Sequence, residues 1–487
     1  MSTTAPRNAR IAVIGGGISG LAAAYALAQA RRAGAPIEEV LIEASNRLGG
    51  VILTERMDGF VIEAGPDSFL AEKPAAAALC RELGLGESLI GSNDRERRTY
   101  ILHNGRLVPL PDGLMLLVPT RLWPLATTPL LPLADKLAIA AEWFRKPPPT
   151  SQSSGDESVA SFVERHFGRA MVENIVDPLL AGVYGGDCRK LSIRSVLARF
   201  WEMEQKHGSL TRATLRARRE RLRKVRSSCG SPANQPPLFM TLKEGLNRMV
   251  DALAAKLDGE KIRLATRVGL IEREESRYKI QCGDGAVEEA EAIVLAMPAH
   301  ASARVLAGLS PPLARLLDEI PYSSSTTVSL AYETGTRAKL PQGFGFLVPR
   351  KENRRMLACT FVHGKFDGRV PEGKALVRCF LGGAADPGAL KLNDQEVVDL
   401  VRGELQSILQ FTAEPLFVRI HRWPQSMAQY EVGHTARVAA IGKGLEAFPG
   451  LFVAGNAWSG IGISDCIRTG MAAAESAMQF LCARGPS

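Results

Sequence analysis

Residues Ile11 to Gly20 read IAVIGGGISG, and two later stretches complete them: VLIEAS at Val40 to Ser45 and Arg47-Leu48-Gly49-Gly50. The run Ile11 to Ile14 is short, apolar and β-branched, which predicts a buried parallel strand ending at glycine. Leu21, Tyr25, Leu27 and Ala28 then recur at helical spacing among alanines. Gly15, Gly17 and Gly20 therefore fall where a tight turn, a close backbone approach to a pyrophosphate and helix-on-strand packing each require the absence of a side chain. Gly16, Ile18 and Ser19 complete that loop, and the pyrophosphate is expected on the helix N-terminus. Glu43, roughly 20 residues further on at the end of a second apolar strand, is placed to accept from both ribose hydroxyls, with Ala44 beside it; an acid there argues against a 2′-phosphate.

Arg47 and the Gly49-Gly50 doublet follow the second strand directly and offer a backbone-and-cation contact to a diphosphate. The doublet resembles the amine oxidase superfamily of FAD enzymes. Three further stretches resemble its protoporphyrinogen oxidase family: Gly59-Phe60-Val61-Ile62-Glu63-Ala64-Gly65-Pro66-Asp67-Ser68-Phe69, then Ala181-Gly182-Val183-Tyr184-Gly185-Gly186-Asp187 with Leu191 to Ser195, and the run Leu451 to Ile467, LFVAGNAWSGIGISDCI. The resemblance spans nearly the whole chain.

It implies FAD as cofactor, held in addition by Gly65, Pro66, Asp67, Ser68, the Val268 backbone, Trp423, Gly455, Asn456, Ile461, Gly462 and Ile463. Asn456 stands where many relatives carry an acid, and an amide can still hydrogen-bond there. The resemblance also implies a tetrapyrrole held by apolar side chains at Leu347, Phe361 and Phe380, by the Gly182 carbonyl, and by one arginine on a propionate. Arg97 or Arg98 takes that last part, although a gapless register places Thr99 there. The ordinary reading of the apolar three is plain core.

The implied reaction is six-electron oxidation of protoporphyrinogen IX to protoporphyrin IX, with dioxygen reduced to hydrogen peroxide, in haem synthesis. The alternative is coproporphyrinogen III, which brings four carboxylates rather than two. Other amine-oxidase-like substrates, or a scaffold that binds flavin without turnover, complete the alternatives. Flavin chemistry needs little from the protein beyond positioning, so no catalytic residue is assigned. The seven histidines make no pair at ligand spacing, and the eight cysteines form no C-x-x-C, so no metal is expected.

The fold class implied is mixed: a Rossmann-like FAD-binding domain (1–72, 229–297, 422–487), a mixed-sheet substrate domain (73–87, 298–421), and a mostly helical, membrane-associating subdomain (88–228). Helical patterns run over Val159 to Phe167, Ala170 to Leu180 and Met240 to Leu257, and short strands over Arg263 to Ala296. Thr326 to Tyr332 and Ala375 to Leu381 read as strands, Glu396 to Leu409 as a helix. Arg145 to Asp156 and Ser227 to Pro237 are breaker-rich linkers.

Of the net charge of +9, most sits in Lys206 to Arg226, with nine Lys or Arg against one Glu. That segment is a solvated helix or loop, or a patch for anionic lipid headgroups; no nucleic-acid motif accompanies it. Leu107 to Leu137 is rich in Leu and Pro around Trp123, but its uncharged run is shorter than the ~20 residues a spanning helix needs. The family resemblance turns it into a monotopic patch at a substrate entrance. MSTTAPRNAR leaves no room for a secretory h-region. The chain is expected in the cytoplasm, attached peripherally to the inner face of the membrane, with ferrochelatase or a second copy as further partners.

Overall fold

The computed structural model describes residues 8–115, 118–119, 122–148, 155–227 and 237–484. The middle of the first linker, nearly all of the second, and positions 116, 117, 120 and 121 of the apolar stretch lie outside the described residues. The chain divides into two compact units. Met1–Gly91, Leu238–Tyr322 and Thr435–Ser487 form the first; Ser92–Pro237 and Ser323–His434 form the second.

The first unit is built on a five-stranded sheet: β1 (Ala9–Ile14), β2 (Ile37–Ile42), β3 (Ile262–Arg263), β4 (Ala292–Leu295) and β5 (Leu451–Val453). All pairings are parallel, and the order is β3-β2-β1-β4-β5. β4 is buried throughout and β1 from Ile11 to Ile14, as strands covered on both faces must be. Helices α1 (Ile18–Arg32) and α2 (Ile463–Arg484) pack on this sheet, with Leu21, Ala24, Leu27, Ile467, Ala474 and Ala477 buried in one core. Each such fully buried large aliphatic side chain contributes roughly 1.5–3 kcal/mol. Chain order reverses at β1, between β2 and β4, so the ligand crevice of such a sheet opens beyond the carboxyl end of β1. The three glycines occupy that end.

One sequence expectation fails here. Met240 to Leu257 does not form a single helix: Phe239–Leu242 is a strand, paired on both edges with Phe69–Leu70 and Leu89–Gly91, and the helix covers only Asn247–Ala254. The two hydrogen-bonded edges override the local helical pattern.

The second unit carries a seven-stranded mixed sheet, in the order Phe417–Ala428, Tyr322–Tyr332, Ala375–Gly382, Met356–Phe361, Gly345–Leu347, Thr99–His103, Arg106–Pro109. The last two strands come from the segment read as helical, and Thr99–His103 joins Gly345–Leu347 in parallel. Residues 99–109 are thus sheet, because Tyr100 and Ile101 find their partners, Phe346 and Leu347, some 240 residues later in the chain. One face is covered by the Asp394–Leu409 helix through Val397, Val401 and Leu405. The other meets a helical layer that includes Val159–Phe167, Asp177–Tyr184 and Ala198–His207. The expected Ala170–Leu180 helix forms, within a continuous helical run that carries a π-turn over Val172–Val176. The basic segment is helical over Leu210–Ser227.

Candidate functional site

At the end of β1, Gly15 takes φ +111°, and a Cβ there would lie 2.7 Å from the Ala296 carbonyl oxygen. Only glycine fits both constraints. A Cβ on Gly20, in the first turn of α1, would lie 1.8 Å from the Gly15 oxygen. Gly17 differs: it is the N-cap of α1, with extended backbone (φ −70°, ψ 177°), and a Cβ on it meets nothing within 4 Å. Its missing side chain leaves open space beside the α1 N-terminus, where backbone N–H groups and the helix dipole favour an anion.

Glu43 lies across this loop. Its Oε2 accepts from the Gly16 N–H at 2.6 Å and its Oε1 from the Ser45 N–H at 2.7 Å. Gly49 N–H donates to the Gly16 oxygen at 2.8 Å, so the doublet lies against the first loop. The Arg47 guanidinium donates to the carbonyls of Leu48, Gly50 and Ile52 and so shapes its own loop. Ala44 is exposed beside Glu43.

The other expected cofactor residues of this unit fall on loops and strand ends. Gly65 to Ser68 connect Phe60–Glu63 to Phe69–Leu70, with the Ser68 hydroxyl donating to Asp67 Oδ1 at 2.7 Å. Val268 begins a three-stranded antiparallel sheet next to an irregularity in register. Gly455 (φ +124°) and Asn456 follow β5, and Ile461 and Gly462 lead into Ile463, the first residue of α2. The Tyr322 hydroxyl accepts from the Ala299 N–H at 2.9 Å and reaches Asn456 Oδ1 at 3.4 Å, while burial pushes its pKa up to about 12.

Two residues at this loop were not singled out from sequence. Lys73 pairs with Asp465 at 2.6 Å and pins the closing loop to the segment after Ser68. The indole Nε1 of Trp458 is buried with no hydrogen-bond partner among the described residues. A buried donor of this kind is costly unless a ligand satisfies it. Open space at Gly17, a carboxylate at the end of β2 and an unmet donor in the closing loop fit a dinucleotide such as FAD.

Trp423 belongs to the second unit, on strand Phe417–Ala428, with its ring parallel to that of His421 at 6.4 Å. In the same unit the strand register sorts the expected substrate residues. Ile101, Leu347, Ala358 and Phe380 are direct cross-strand partners and share one face. Gly182 sits on that face too, since a Cβ there would lie 3.1 Å from Leu347 Cδ2. Phe361 falls elsewhere. It stands three residues beyond Ala358, so the period of two turns it to the opposite face, where it is 0% exposed and packs near Phe346 and Val377. It packs in the core on that side, apart from Leu347 and Phe380. Arg97 and Arg98 are exposed just before Thr99–His103, and the Arg98 carbonyl accepts from the Phe344 N–H at 2.7 Å.

The flavin containing amine oxidoreductase family matches residues 18–478 of this chain. The chain belongs to that family. It is similar to the coproporphyrinogen III oxidase of Bacillus subtilis (strain 168), with 34% identity over 97% of this chain and 98% of that protein. Protoporphyrinogen oxidase 1, chloroplastic, of Arabidopsis thaliana is 30% identical over 93% of this chain and 85% of its own length. A crystal structure from Exiguobacterium sp. 255-15, provisionally named protoporphyrinogen oxidase, superposes with a TM-score of 0.84 at 30% identity, covering 98% of this chain and 99% of that one. This flavin containing amine oxidoreductase is therefore an FAD-dependent oxidoreductase with the mixed α/β fold of its family.

Proposed function

We propose that the chain oxidises protoporphyrinogen IX to protoporphyrin IX, three dioxygen molecules becoming three of hydrogen peroxide, as a step of haem biosynthesis. Full-length similarity to porphyrinogen oxidases carries this reading. When bound, FAD would supply two-electron redox chemistry. Gly15 to Gly20, Glu43 and Asn456 would hold it. Leu347, Phe380 and Gly182 offer the macrocycle an apolar face, and Arg97 or Arg98 a cation for a propionate. Coproporphyrinogen III is the second reading, favoured by relatives such as the Bacillus subtilis protein that carry its name.

The test is anaerobic reduction of the purified protein, followed at the flavin absorbance band. Protoporphyrinogen IX is expected to bleach it fastest, with colour and porphyrin fluorescence returning in air. Faster bleaching by coproporphyrinogen III reassigns the substrate. No bleaching by either removes the oxidase reading.

We also propose peripheral attachment to an anionic membrane surface. Among the described residues no helix is long and apolar enough to cross a membrane. Trp123 (78% exposed), Leu133 (72%) and Phe144 (79%) instead present large apolar side chains to solvent. Arg212, near the start of the basic helix, donates to the carbonyls of Trp143 and Arg145, which sets that helix beside Phe144. Apolar area plus clustered cations is the composition of an interfacial surface. The protein should co-float with phosphatidylglycerol vesicles at low salt, and Trp123→Ser with Phe144→Ser should cut that binding about tenfold. Absence of flotation on anionic vesicles rejects the surface.

A further inference from the structure

The Asp177–Tyr184 helix is buried along Asp177, Pro178, Leu180 and Ala181, yet its last turn shows Gly182 and Val183 (58% exposed) to solvent next to Leu347. An exposed apolar turn in the middle of a packed layer holds its place only if something outside the helix fixes it. The structure supplies that something at every carbonyl after the turn. The Tyr184 oxygen accepts from Gln429 Nε2 at 2.7 Å, the Gly185 oxygen from the Ala384 N–H at 2.7 Å, and the Gly186 oxygen from Arg350 Nη2 at 3.3 Å. Gly185 is left-handed (φ +57°), which ends the helix and turns these carbonyls outward.

Arg350 does more than cap. Its Nη1 meets Asp187 Oδ2 at 3.0 Å and its Nε lies 3.2 Å from Asp177 Oδ2, so one guanidinium joins the first residue of the helix to the loop beyond its end. Arg350 itself follows the Gly345–Leu347 strand through Val348-Pro349. The two Nη groups therefore hydrogen-bond the loop past the helix end, while the charge pairs with Asp177 without a hydrogen bond; a planar guanidinium can hold two acceptors of the loop at once, and an ammonium holds them less well. The π-turn at Val172–Val176 immediately precedes Asp177, and such insertions recur at functional sites. Asp177, Asp187 and Cys188 have their donor atoms within 4.8 Å of one another, close enough for a metal. Arg350 already provides the cation there, and burial together with the Asp177 carboxylate pushes the Cys188 thiol up, so it stays protonated.

We infer that Arg350 is a positioning residue for the porphyrinogen. By bridging Asp177 and Asp187 it sets the Gly182-Val183 turn against Leu347 as one rigid apolar wall for the face of the macrocycle. The inference rests on the porphyrinogen reading above.

The experiment uses the FAD-loaded full chain and compares wild type with Arg350→Met, Arg350→Lys and Asp187→Asn. The readouts are protoporphyrin IX affinity by fluorescence quenching, KM against kcat with protoporphyrinogen IX, and the flavin spectrum. Expected for Arg350→Met are affinity lower and KM higher by about tenfold, with kcat within twofold and the flavin spectrum and FAD content unchanged. Arg350→Lys should recover part of the loss, since it reaches one carboxylate. Unchanged affinity and KM in folded variants overturn the inference, and so does a loss confined to kcat or to the active fraction. If Arg350→Met fails to fold, Asp187→Asn, which keeps the Asp177 link, decides by the same readouts. A wild type that neither binds protoporphyrin IX nor turns over protoporphyrinogen IX overturns the porphyrinogen reading first, and the inference with it.

Discussion

Gly17→Ala is expected to leave the fold intact and remove most of the FAD, whereas Gly20→Ala should damage both. The two glycines are three residues apart in one loop, and their surroundings separate their roles. At Gly20 an added methyl would sit 1.8 Å from the Gly15 oxygen and 3.2 Å from Ala296 Cβ. Neither the β1 turn nor the helix can yield without opening the β1-α1 packing, so the substitution should cost about 3 kcal/mol or more. At Gly17 the methyl meets no protein atom within 4 Å, and the extended backbone suits any residue. The cost there falls on whatever occupies the open space. Thermal melts of the two apoproteins should show Gly17→Ala within a degree or so of wild type and Gly20→Ala several degrees lower. FAD titration should show affinity reduced on the order of 100-fold for Gly17→Ala, equivalent to about 2.7 kcal/mol. If Gly17→Ala retains full FAD affinity, the diphosphate does not approach the chain at that point, and the cradle must be redrawn around Gly49 and Gly50.

The contrast also explains what could be seen in the sequence. Strand, glycine loop, helix, second strand and Glu43 are neighbours in the chain, so local pattern suffices to bring Glu43 to the end of the second strand, although its bond to the Gly16 N–H appears only in the structure. The β4 strand and the α2 start are distant in sequence but carry continuous apolar runs and a glycine-rich motif of their own. What was not legible depends on pairing. Phe361 looks like Leu347 and Phe380 in composition, and only the register Ala358 to Phe380 reveals that it faces the other way. Thr99–His103 lies in a segment read as mostly helical, and its place in the sheet shows only when Gly345–Leu347 supplies its edge. Arg350 carries no signal at all in one dimension, because Asp177 and Asp187 lie more than 160 residues upstream. Long-range ion pairs leave no periodicity.

A second cluster with no sequence signature sets the largest stability effect expected in the second unit. Glu142 is buried, and its two oxygens accept from His166 Nδ1 (3.2 Å), the Leu210 N–H (2.6 Å), the Ser209 hydroxyl (3.0 Å) and the Thr211 N–H (3.2 Å). It thereby caps the basic Leu210–Ser227 helix from another element. The other nitrogen of His166 faces Glu204 at 3.0 Å, and Arg165 holds Glu204 from the other side at 2.6 Å. Glu142→Ala strands the imidazole and several helix N-terminal donors at once. Losing one partner of a buried charged set costs about 3–5 kcal/mol, so Tm should fall by roughly 8 °C or more. Glu157→Ala, which removes only the part-exposed partner of Arg165, should cost under about 1 kcal/mol.

The same cluster predicts acid sensitivity. Burial works to raise the Glu204 carboxyl, but Arg165 and His166 outweigh it and hold it down at about 2, and Glu142 is likewise lowered against its burial by His166 and the Thr211 and Leu210 donors. A carboxyl lowered on folding stabilises the fold above its unfolded pKa, here about 4.5, and that contribution drains away as pH falls toward the folded value. For Glu204 the window is pH 4.5 to 2 and the amount at stake about 3 kcal/mol. Melts between pH 7 and 3 should therefore steepen below pH 4.5 in wild type and flatten in Glu204→Gln, which is less stable at pH 7 but has less left to lose in acid. Parallel pH curves for the two proteins would mean that Glu204 is not the group whose protonation loosens the helical layer.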